Sequence, residues 1–427
     1  MSSRARISLI AMLLASSLAH AADDGLTGRI VLGYQGWFGC PGDYKDNKAW
    51  QHWFLHGVAP QNLTVDLVPD PASLPESALC ATGLKAADGS ELKLFSSQNA
   101  DVVNAQFAMM QAHGIDGVAL QRFVTALTEP TNKDRHDHQL DLVKSAAEKT
   151  GRRFFITYDI SGAGPKIVVQ TLLDDWRALA KGGVTQSPAY WRDHGKPVVE
   201  LWGFGLGDRP GDPDDVAALI RALKKGGDGV PAAYVIGGVP THWRTLDKDS
   251  KKGKAWASIY RSYDVISPWL VGRFDDDAAA DALMQEIVIP DLAEAKKAGV
   301  QYMPVTFPGY SARNLLHSKG KEQNAVLNKT PRQCGDFLWH QYARLLKAGV
   351  TMIYGAMFDE FDEGTALQPA VTNPKQFPAG ASLVPLAGGG CNVPSDYYLE
   401  ITGKAAELLR GGDRSPPRNV ADVIKNR

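Results

Sequence analysis

The sequence predicts an α/β fold, a single-domain (β/α)8 TIM barrel with long rim loops, on three observations. Eight short runs of apolar or β-branched residues recur along the chain. The segments between them carry helical periodicity, and several of those segments stop at a glycine that leads into the next run. Strands alternating with helices imply a parallel sheet, and eight repeats suggest a closed barrel. An open, doubly wound sheet is the competitor. It usually carries a glycine-rich phosphate loop after its first strand, and Gly33-Tyr-Gln-Gly36 lacks the G-x-G-x-x-G spacing.

In order, the runs are Ile30–Tyr34, Gly117–Gln121, Phe154–Tyr158, Pro197–Leu201, Tyr234–Ile236, Val265–Ser267, Tyr302–Thr306 and Met352–Ala356. Between them, Asn99–His113 places Val102, Val103, Phe107, Met110 and His113 on one stripe, as an amphipathic helix does. His138–Lys149, Lys166–Ala180, Pro213–Lys224, Ala278–Ala298 and Gln333–Ala348 read the same way. Gly114, Gly151, Gly299 and Gly349 are C-cap signals at helix ends. Asp275-Asp-Asp277 reads as a helix N-cap and dipole partner.

The ends of the chain read differently. Arg4 and Arg6 precede an apolar stretch from Ile7 to Leu18, and Ala19-His20-Ala21 is a small-x-small cleavage site. Residues 1–21 therefore read as a secretory signal peptide, the apolar run being too short to span a bilayer. Residues 22–410 form the barrel domain, and the polar tail 411–427, with Pro416-Pro417, is expected to be flexible. The expected location is secreted or periplasmic, without a membrane anchor. Four cysteines in an exported chain suggest two disulfides. Of the three pairings, Cys40–Cys80 and Cys334–Cys391 are preferred because each joins loops close in sequence. No two cysteines have the C-x-x-C spacing of a zinc site.

Composition narrows the function classes. Hydrophobic residues make up 44% of the chain, enough for a large core, and a net charge of −1 argues against nucleic acid or a polybasic membrane surface. Ten Trp and thirteen Tyr offer flat faces for sugar stacking, and a large core uses them equally.

In a (β/α)8 barrel the chemistry sits at the C-terminal ends of the strands. Aromatic, amide, Arg and carboxylate residues gather there: Trp37, His52 and Trp53 after strand one; Gln121 and Arg122; Tyr158 and Asp159; Glu200 and Trp202; His242; Trp269; and Tyr310 after strand seven. Such a rim suits a polyhydroxylated ligand. After strand eight, Met357-Phe-Asp-Glu-Phe-Asp-Glu-Gly-Thr-Ala-Leu367 places Glu360 and Glu363 three positions apart. If that turn is helical their Cβ atoms lie ~5–6 Å apart. Crowded carboxylates have separated pKa values, one protonated and one ionised near neutral pH. That is the acid/base pair glycosidic cleavage requires. An acidic solvated loop is the plain alternative.

The C-terminal third carries more specific motifs. Pro304-Val-Thr-Phe-Pro-Gly-Tyr-Ser-Ala-Arg-Asn314 is followed by a helix with Tyr342 and then by Phe358-Asp-Glu-Phe-Asp-Glu-Gly-Thr365. This resembles glycoside hydrolase family 99, the endo-α-mannosidases and endomannanases, and the wider family 71/99-like group. That family has a Pro-Gly-Tyr segment after strand seven and Asn-Glu-Trp-His-Glu-Gly-Thr after strand eight. Looser matches are Gly36-Trp-Phe-Gly39 with His52-Trp53, Leu94-Phe-Ser-Ser97, and Met110 through Gly114-Ile-Asp116. The resemblance implies a retaining α-glycosidase on a (β/α)8 barrel, with no cofactor and an oligo- or polysaccharide substrate. It also implies catalysis through the substrate's own 2-hydroxyl: Glu360 as the base that forms a 1,2-anhydro sugar, Glu363 as general acid/base; the ordinary retaining route, with one of the two as covalent nucleophile and carboxyl groups ~5–5.5 Å apart, is the alternative. Asp359, Phe361 and Asp362 replace the family's Asn, Trp and His, so four carboxylates crowd five residues. They would repel and raise one another's pKa values further unless Arg122, Arg244 or Arg313 neutralises some of them.

The four carboxylates suit Ca²⁺ or Mg²⁺ by ligand type but lack the glycine and alternating Asp of a calcium loop. His136-Asp-His138 reads as a solvated first helical turn rather than a metal site. No G-x-S-x-G marks a serine hydrolase. A barrel that binds glycan without cleaving it, and a carboxylate-metal hydrolase, stand as the alternatives.

Overall fold

The computed structural model describes residues 25–45, 47–164, 168–388 and 390–424. Eight strands form a parallel ring: β1 (Arg29–Tyr34), β2 (Gly117–Phe123), β3 (Arg153–Asp159), β4 (Lys196–Trp202), β5 (Tyr234–Val239), β6 (Val265–Pro268), β7 in two pieces (Gln301–Tyr302 and Val305–Thr306), and β8 (Met352–Gly355). Successive strands pair in order from β1 to β6, and β8 pairs back onto β1. The first piece of β7 pairs with β6 and the second with β8, which closes the barrel. The split falls at Met303-Pro304. Pro304 has no N–H to give a ladder, and its carbonyl instead accepts from the Tyr354 N–H at 3.0 Å. The strands are buried on both faces, which is why they read as nearly continuous apolar runs.

All eight expected strands are present, and the helices fall where the periodicity placed them. Ala100–Ala112 starts at Asn99, whose side chain accepts from the N–H groups of Asp101 and Val102. Val168–Lys181, Pro213–Lys225 and Asp336–Ala348 follow the expected spans. The segment expected to start near His138 begins at Pro130 and runs to Thr150. Asp276 caps Asp277–Leu283, accepting from the Ala279 N–H at 2.8 Å. Gly151, Gly299 and Gly349 are left-handed C-caps.

Two features depart from expectation or lie outside it. A hairpin, Leu79–Lys85 with Glu91–Phe95, grows from the long connection between β1 and β2. The tail expected to be flexible is docked as far as residue 424. The Arg414 guanidinium donates to the carbonyls of Leu346 and Val350 at the end of helix Asp336–Ala348. Pro417 accepts from the Trp339 indole N–H at 2.9 Å, and Val420 is buried. The Leu346 carbonyl lies in the last turn of that helix and Val350 just beyond its Gly349 cap, and the Arg donates to both. The expected signal peptide lies outside the described residues. Among the described residues no helix is long and apolar enough to cross a membrane. Both expected disulfides are formed, Cys40–Cys80 and Cys334–Cys391, with Cα–Cα distances of 6.4 and 6.1 Å.

Candidate active site

The strand-eight carboxylates stand at the C-terminal mouth of the barrel, on a loop of successive turns rather than on a helix. Thr365 N–H donates to the Glu360 carbonyl at 3.0 Å, Gly364 N–H to Phe361, and Leu367 N–H to Met357, so the segment folds back on itself. Gly364 has φ +64°, and a Cβ there would come within 2.8 Å of the Ser311 carbonyl. Only glycine lets the loop approach the β7 connection, where Ser311 N–H donates to the Glu363 carbonyl at 2.8 Å. Behind it, the buried Arg332 guanidinium donates to the carbonyls of Gly364 and Ala366 at 2.9 and 2.7 Å.

β1 holds the loop from the other side. Gln35 Nε2 donates to Glu360 Oε2 at 2.6 Å. The backbone N–H groups of Gln35 and Gly36 donate to the two oxygens of Asp359 at 2.7 and 2.8 Å. His52 Nδ1 lies 3.0 Å from Asp362 Oδ2. Its ring stacks on Trp37 at 4.1 Å and 6°, and Trp37 stacks in turn on Phe123 at 5.5 Å. Trp37 and His52 also line a cavity of about 320 Å³ bounded by Phe123, Asn132, Arg135 and His136.

The electrostatics follow from burial and crowding. Burial, then the charges of Asp362, Glu363 and Asp359, push the Glu360 carboxyl well above the usual carboxylate range, against the Gln35 hydrogen bond. Burial and the Asp362 charge push Glu363 up to about 7, with Lys319 opposing. Asp359 is raised to about 6 by burial, its two backbone donors opposing. Asp362 is raised by burial, opposed by His52. The three arginines that could neutralise them are engaged elsewhere. Arg122 pairs with Asp175 and Asp137, Arg244 with Asp291, and the Arg313 guanidinium donates to the Asn314 side chain. The carboxyls of this loop are thus raised by burial and crowding, with no arginine partner among the described residues.

A second acidic group faces the same lumen. Gln121 Nε2 donates to Asp159 Oδ2 at 2.5 Å, and the Thr157 hydroxyl donates to Glu200 Oε2 at 2.9 Å. Burial pushes Glu200 to about 7, with the Asp159 charge adding to it. The Tyr354 phenol is raised by burial and then by the charges of Glu200, Asp159 and Asp359. At the ends of β4 and β6, Trp202 and Trp269 pack edge to face at 5.3 Å.

The expected roles of Arg122, Tyr158, Trp53 and the His136-Asp-His138 turn are corrected, while His242 and Tyr310 are placed without being excluded. Arg122 and Tyr158 are register partners on the outer face of the sheet, one residue out of phase with Gln121 and Asp159. Side chains alternate along a strand, so both point to the helices. Arg122 is fully buried, with Nε and Nη2 on the two Asp175 oxygens at 2.9 and 2.6 Å, and the Tyr158 hydroxyl donates to Asp175 at 2.8 Å. Trp53 is a core residue, its indole N–H on the Phe95 carbonyl at 2.8 Å. His242 is held by Asp249 through its ring at 2.8 Å. The Tyr310 hydroxyl makes no hydrogen bond to either Glu among the described residues. Burial, then the Glu363 and Glu360 charges, raise it. His136-Asp-His138 is no solvated first turn. His136 lines the cavity and is lowered to about 4 by burial, Asp137 accepts from Arg122 at 2.8 Å, and His138 lies 2.9 Å from Gln98 Oε1. Among the described residues no three His, Cys, Asp or Glu side chains are arranged to hold a metal ion. Sequence reasoning missed Gln35 and Tyr354 as site residues. An amide at the end of the strand beside β8 was the available signal for Gln35.

The sequence matches no protein-family model and shows no significant similarity to a curated protein. The fold is similar to two solved structures of the GH99 endo-alpha-mannosidase from Bacteroides thetaiotaomicron. One has a TM-score of 0.64 at 17% identity, covering 91% of this chain and 99% of that one. The other, in complex with BIS-TRIS-propane, has the same score and identity and covers 92% of this chain and 100% of that one. At this identity the likeness shows a shared (β/α)8 barrel.

Proposed function

We propose that this chain is an exported retaining α-glycoside hydrolase acting on an α-linked glycan, with Glu360 as base and Glu363 as general acid/base. The observation that carries the reading is the pair itself. Two glutamates share the mouth of the barrel with two aspartates, and no arginine pairs with any of the four carboxylates among the described residues. Such a pair retains a proton near neutral pH, as acid/base chemistry requires. The full-length similarity to a GH99 endo-alpha-mannosidase and the Glu-x-x-Glu-Gly-Thr and Pro-Gly-Tyr motifs support the same reading. Two disulfides fit an oxidising compartment.

In this reading Glu360 takes the proton of the substrate's 2-hydroxyl as that oxygen attacks C1, and Glu363 protonates the departing glycosidic oxygen. Glu363 then deprotonates a water that opens the 1,2-anhydro sugar at C1, and Glu360 returns its proton to O2. The configuration at C1 is retained after two inversions. A raised pKa makes Glu360 a stronger base once ionised, and Glu363 near 7 is suited to both donate and accept. Gln35 would hold Glu360 in place. Asp159, Glu200, Gln121 and Tyr310 would hydrogen-bond sugar hydroxyls, with Trp37, Trp202 and Trp269 as stacking faces and His52 and His242 at the rim.

The test is a screen of the purified protein on α-mannans, α-glucans and mixed glycans, reading reducing ends and the anomer first formed by NMR. Release of the retained anomer is expected. Inversion, or binding without release across the panel, overturns the reading, and the latter outcome identifies a glycan-binding barrel.

A further inference from the structure

The cavity of about 320 Å³ beside the ends of β1 and β2 has no assigned occupant in the reaction scheme. That volume has room for on the order of ten water molecules and falls within the range of small-molecule sites. Its aromatic wall is Phe123, at the end of β2, and Trp37, their rings stacked at 5.5 Å and 18°. Other lining groups come from the short helix Val124–Leu127 and the first turns of the helix Pro130–Thr150. They include Thr125, Asn132 and His136, whose side chains make no hydrogen bond or ion pair among the described residues. Arg135 Nη1 lies 3.3 Å from Asp43 Oδ1, so its guanidinium is already paired. Burial, then the Arg122 charge, lower the His136 imidazole to about 4, which leaves it neutral near pH 7.

Three lining residues tie this cavity to the mouth of the barrel. Gly36 N–H donates to Asp359 Oδ2 at 2.8 Å, and His52 Nδ1 lies 3.0 Å from Asp362 Oδ2. Both aspartates belong to the run that holds Glu360 and Glu363. Phe123 is the register partner of Asp159, so it stands on the luminal face of its strand. We infer, on the reading of Glu360 and Glu363 as the acid/base pair, that this cavity is a remote subsite for one uncharged sugar residue of the same glycan chain. Aromatic faces pack against the C–H side of a sugar ring, and the amide, hydroxyl and imidazole groups without partners meet its hydroxyls. Among the described residues lining the cavity, an anionic sugar finds no unpaired cation and an amino sugar no unpaired carboxylate. Binding there is remote from the scissile bond, so its effect is read through chain length: a glycan that fills the cavity is held more tightly than a fragment that stops short of it.

The probes are neutral α-manno- and α-gluco-oligosaccharide ladders, from the disaccharide upward. They are titrated by NMR into full-length Glu363→Gln protein carrying labelled histidine, with His136→Gln supplying the assignment. The His136 ring signal should move with the longer members and stay still with the disaccharide. Ala126→Phe fills the cavity without removing a polar group. It should weaken the longer members ~10-fold and leave the disaccharide unchanged. Asn132→Ala, at an exposed position, should act in the same sense by ~3–10-fold, the worth of one neutral hydrogen bond. With Glu363 restored, kcat/KM should rise with chain length, and each change should flatten that rise. A length preference that survives both variants overturns the subsite and leaves the enzymatic reading standing. If Ala126→Phe does not fold, an unaltered length preference in Asn132→Ala overturns it equally. A ladder that moves no His136 signal overturns the assignment to neutral α-linked glycan. Length-dependent shifts at His136 in a protein that cleaves none of the probes refute the enzymatic reading and leave the sugar site in place.

Discussion

Gln35 Nε2 donates to Glu360 Oε2 at 2.6 Å, joining the end of the first barrel strand to the loop after the last. The contact exists because the barrel closes: β1 and β8 pair in parallel, Arg29 opposite Met352 and Leu32 opposite Gly355. The residues that follow each strand therefore leave the sheet side by side. The same closure delivers the Gln35 and Gly36 N–H groups to Asp359.

Glu360→Gln and Glu363→Gln should each lower turnover sharply while leaving the fold intact. The new amide oxygen in Glu360→Gln can still accept from Gln35, so the loop keeps its anchor. General acid/base groups contribute ~10²–10⁴-fold each, so kcat should fall on that scale. Near wild-type kcat in either variant, on a glycan the parent cleaves, removes that residue from the machinery.

Tyr310→Phe isolates a hydroxyl that feels both glutamates yet bonds neither. Melting temperature should hardly move, because no hydrogen bond to a carboxylate is lost. If the hydroxyl meets substrate, kcat/KM should fall ~10-fold or more, equivalent to ~1.4 kcal/mol of transition-state stabilisation. An unchanged kcat/KM would return Tyr310 to a packing role.

Arg122→Ala is expected to act on stability rather than on the site. Asp175 is 2% exposed and would lose both guanidinium contacts. Removing one partner of a buried pair typically costs ~3–5 kcal/mol. A urea titration should show that loss. A variant of parental stability with a raised KM would instead place Arg122 at the substrate.

Glu200→Gln tests the luminal acids by linkage. Burial raises Glu200 from 4.5 to about 7 in the folded protein. A raised carboxyl contributes stability that is complete below the unfolded value and is lost as pH rises through the folded one. Over that window the wild type loses ~3 kcal/mol at this group, and the glutamine variant does not. The difference in melting temperature, variant minus wild type, should therefore grow more positive between pH 5 and pH 8. A difference that stays flat would mean Glu200 is not raised.

Denatured, non-reduced protein should show no free thiol, since all four cysteines are paired. Reduction should lower stability by ~2–5 kcal/mol for each bond lost. Four reactive thiols before reduction would contradict both pairings.

Much of the architecture was legible because it is local. Apolar runs such as Phe154–Tyr158, the stripe from Val102 to Met110 and the capping glycines each encode an element through nearest neighbours. The barrel follows from their alternation, and the acidic segment from its place after the eighth strand. The errors came from direction and distance. Arg122 and Tyr158 stand beside Gln121 and Asp159 in sequence, but a strand sends adjacent side chains to opposite faces, and the composition of a strand end does not say which face is the lumen. Trp53 follows His52 directly. One is core and the other reaches Asp362, a distinction set by the path of a long loop. The tail looked loose because it is polar, yet Arg414 finds the carbonyls of Leu346 and Val350, which no linear pattern reveals.

By itself, then, the sequence determined the kind of fold, the order of its strands and helices, and the presence of four carboxylates in five residues, because periodicity and spacing are properties of neighbours along a chain. Only the tertiary structure decided what that loop meets: Gln35 and His52 at its carboxylates, Ser311 and Arg332 at its backbone carbonyls, and, among the described residues, no arginine side chain on any of the four acids themselves. Burial and like-charge crowding act through space, so the raised carboxyls at the mouth of this barrel are a property of the closed ring rather than of any segment within it.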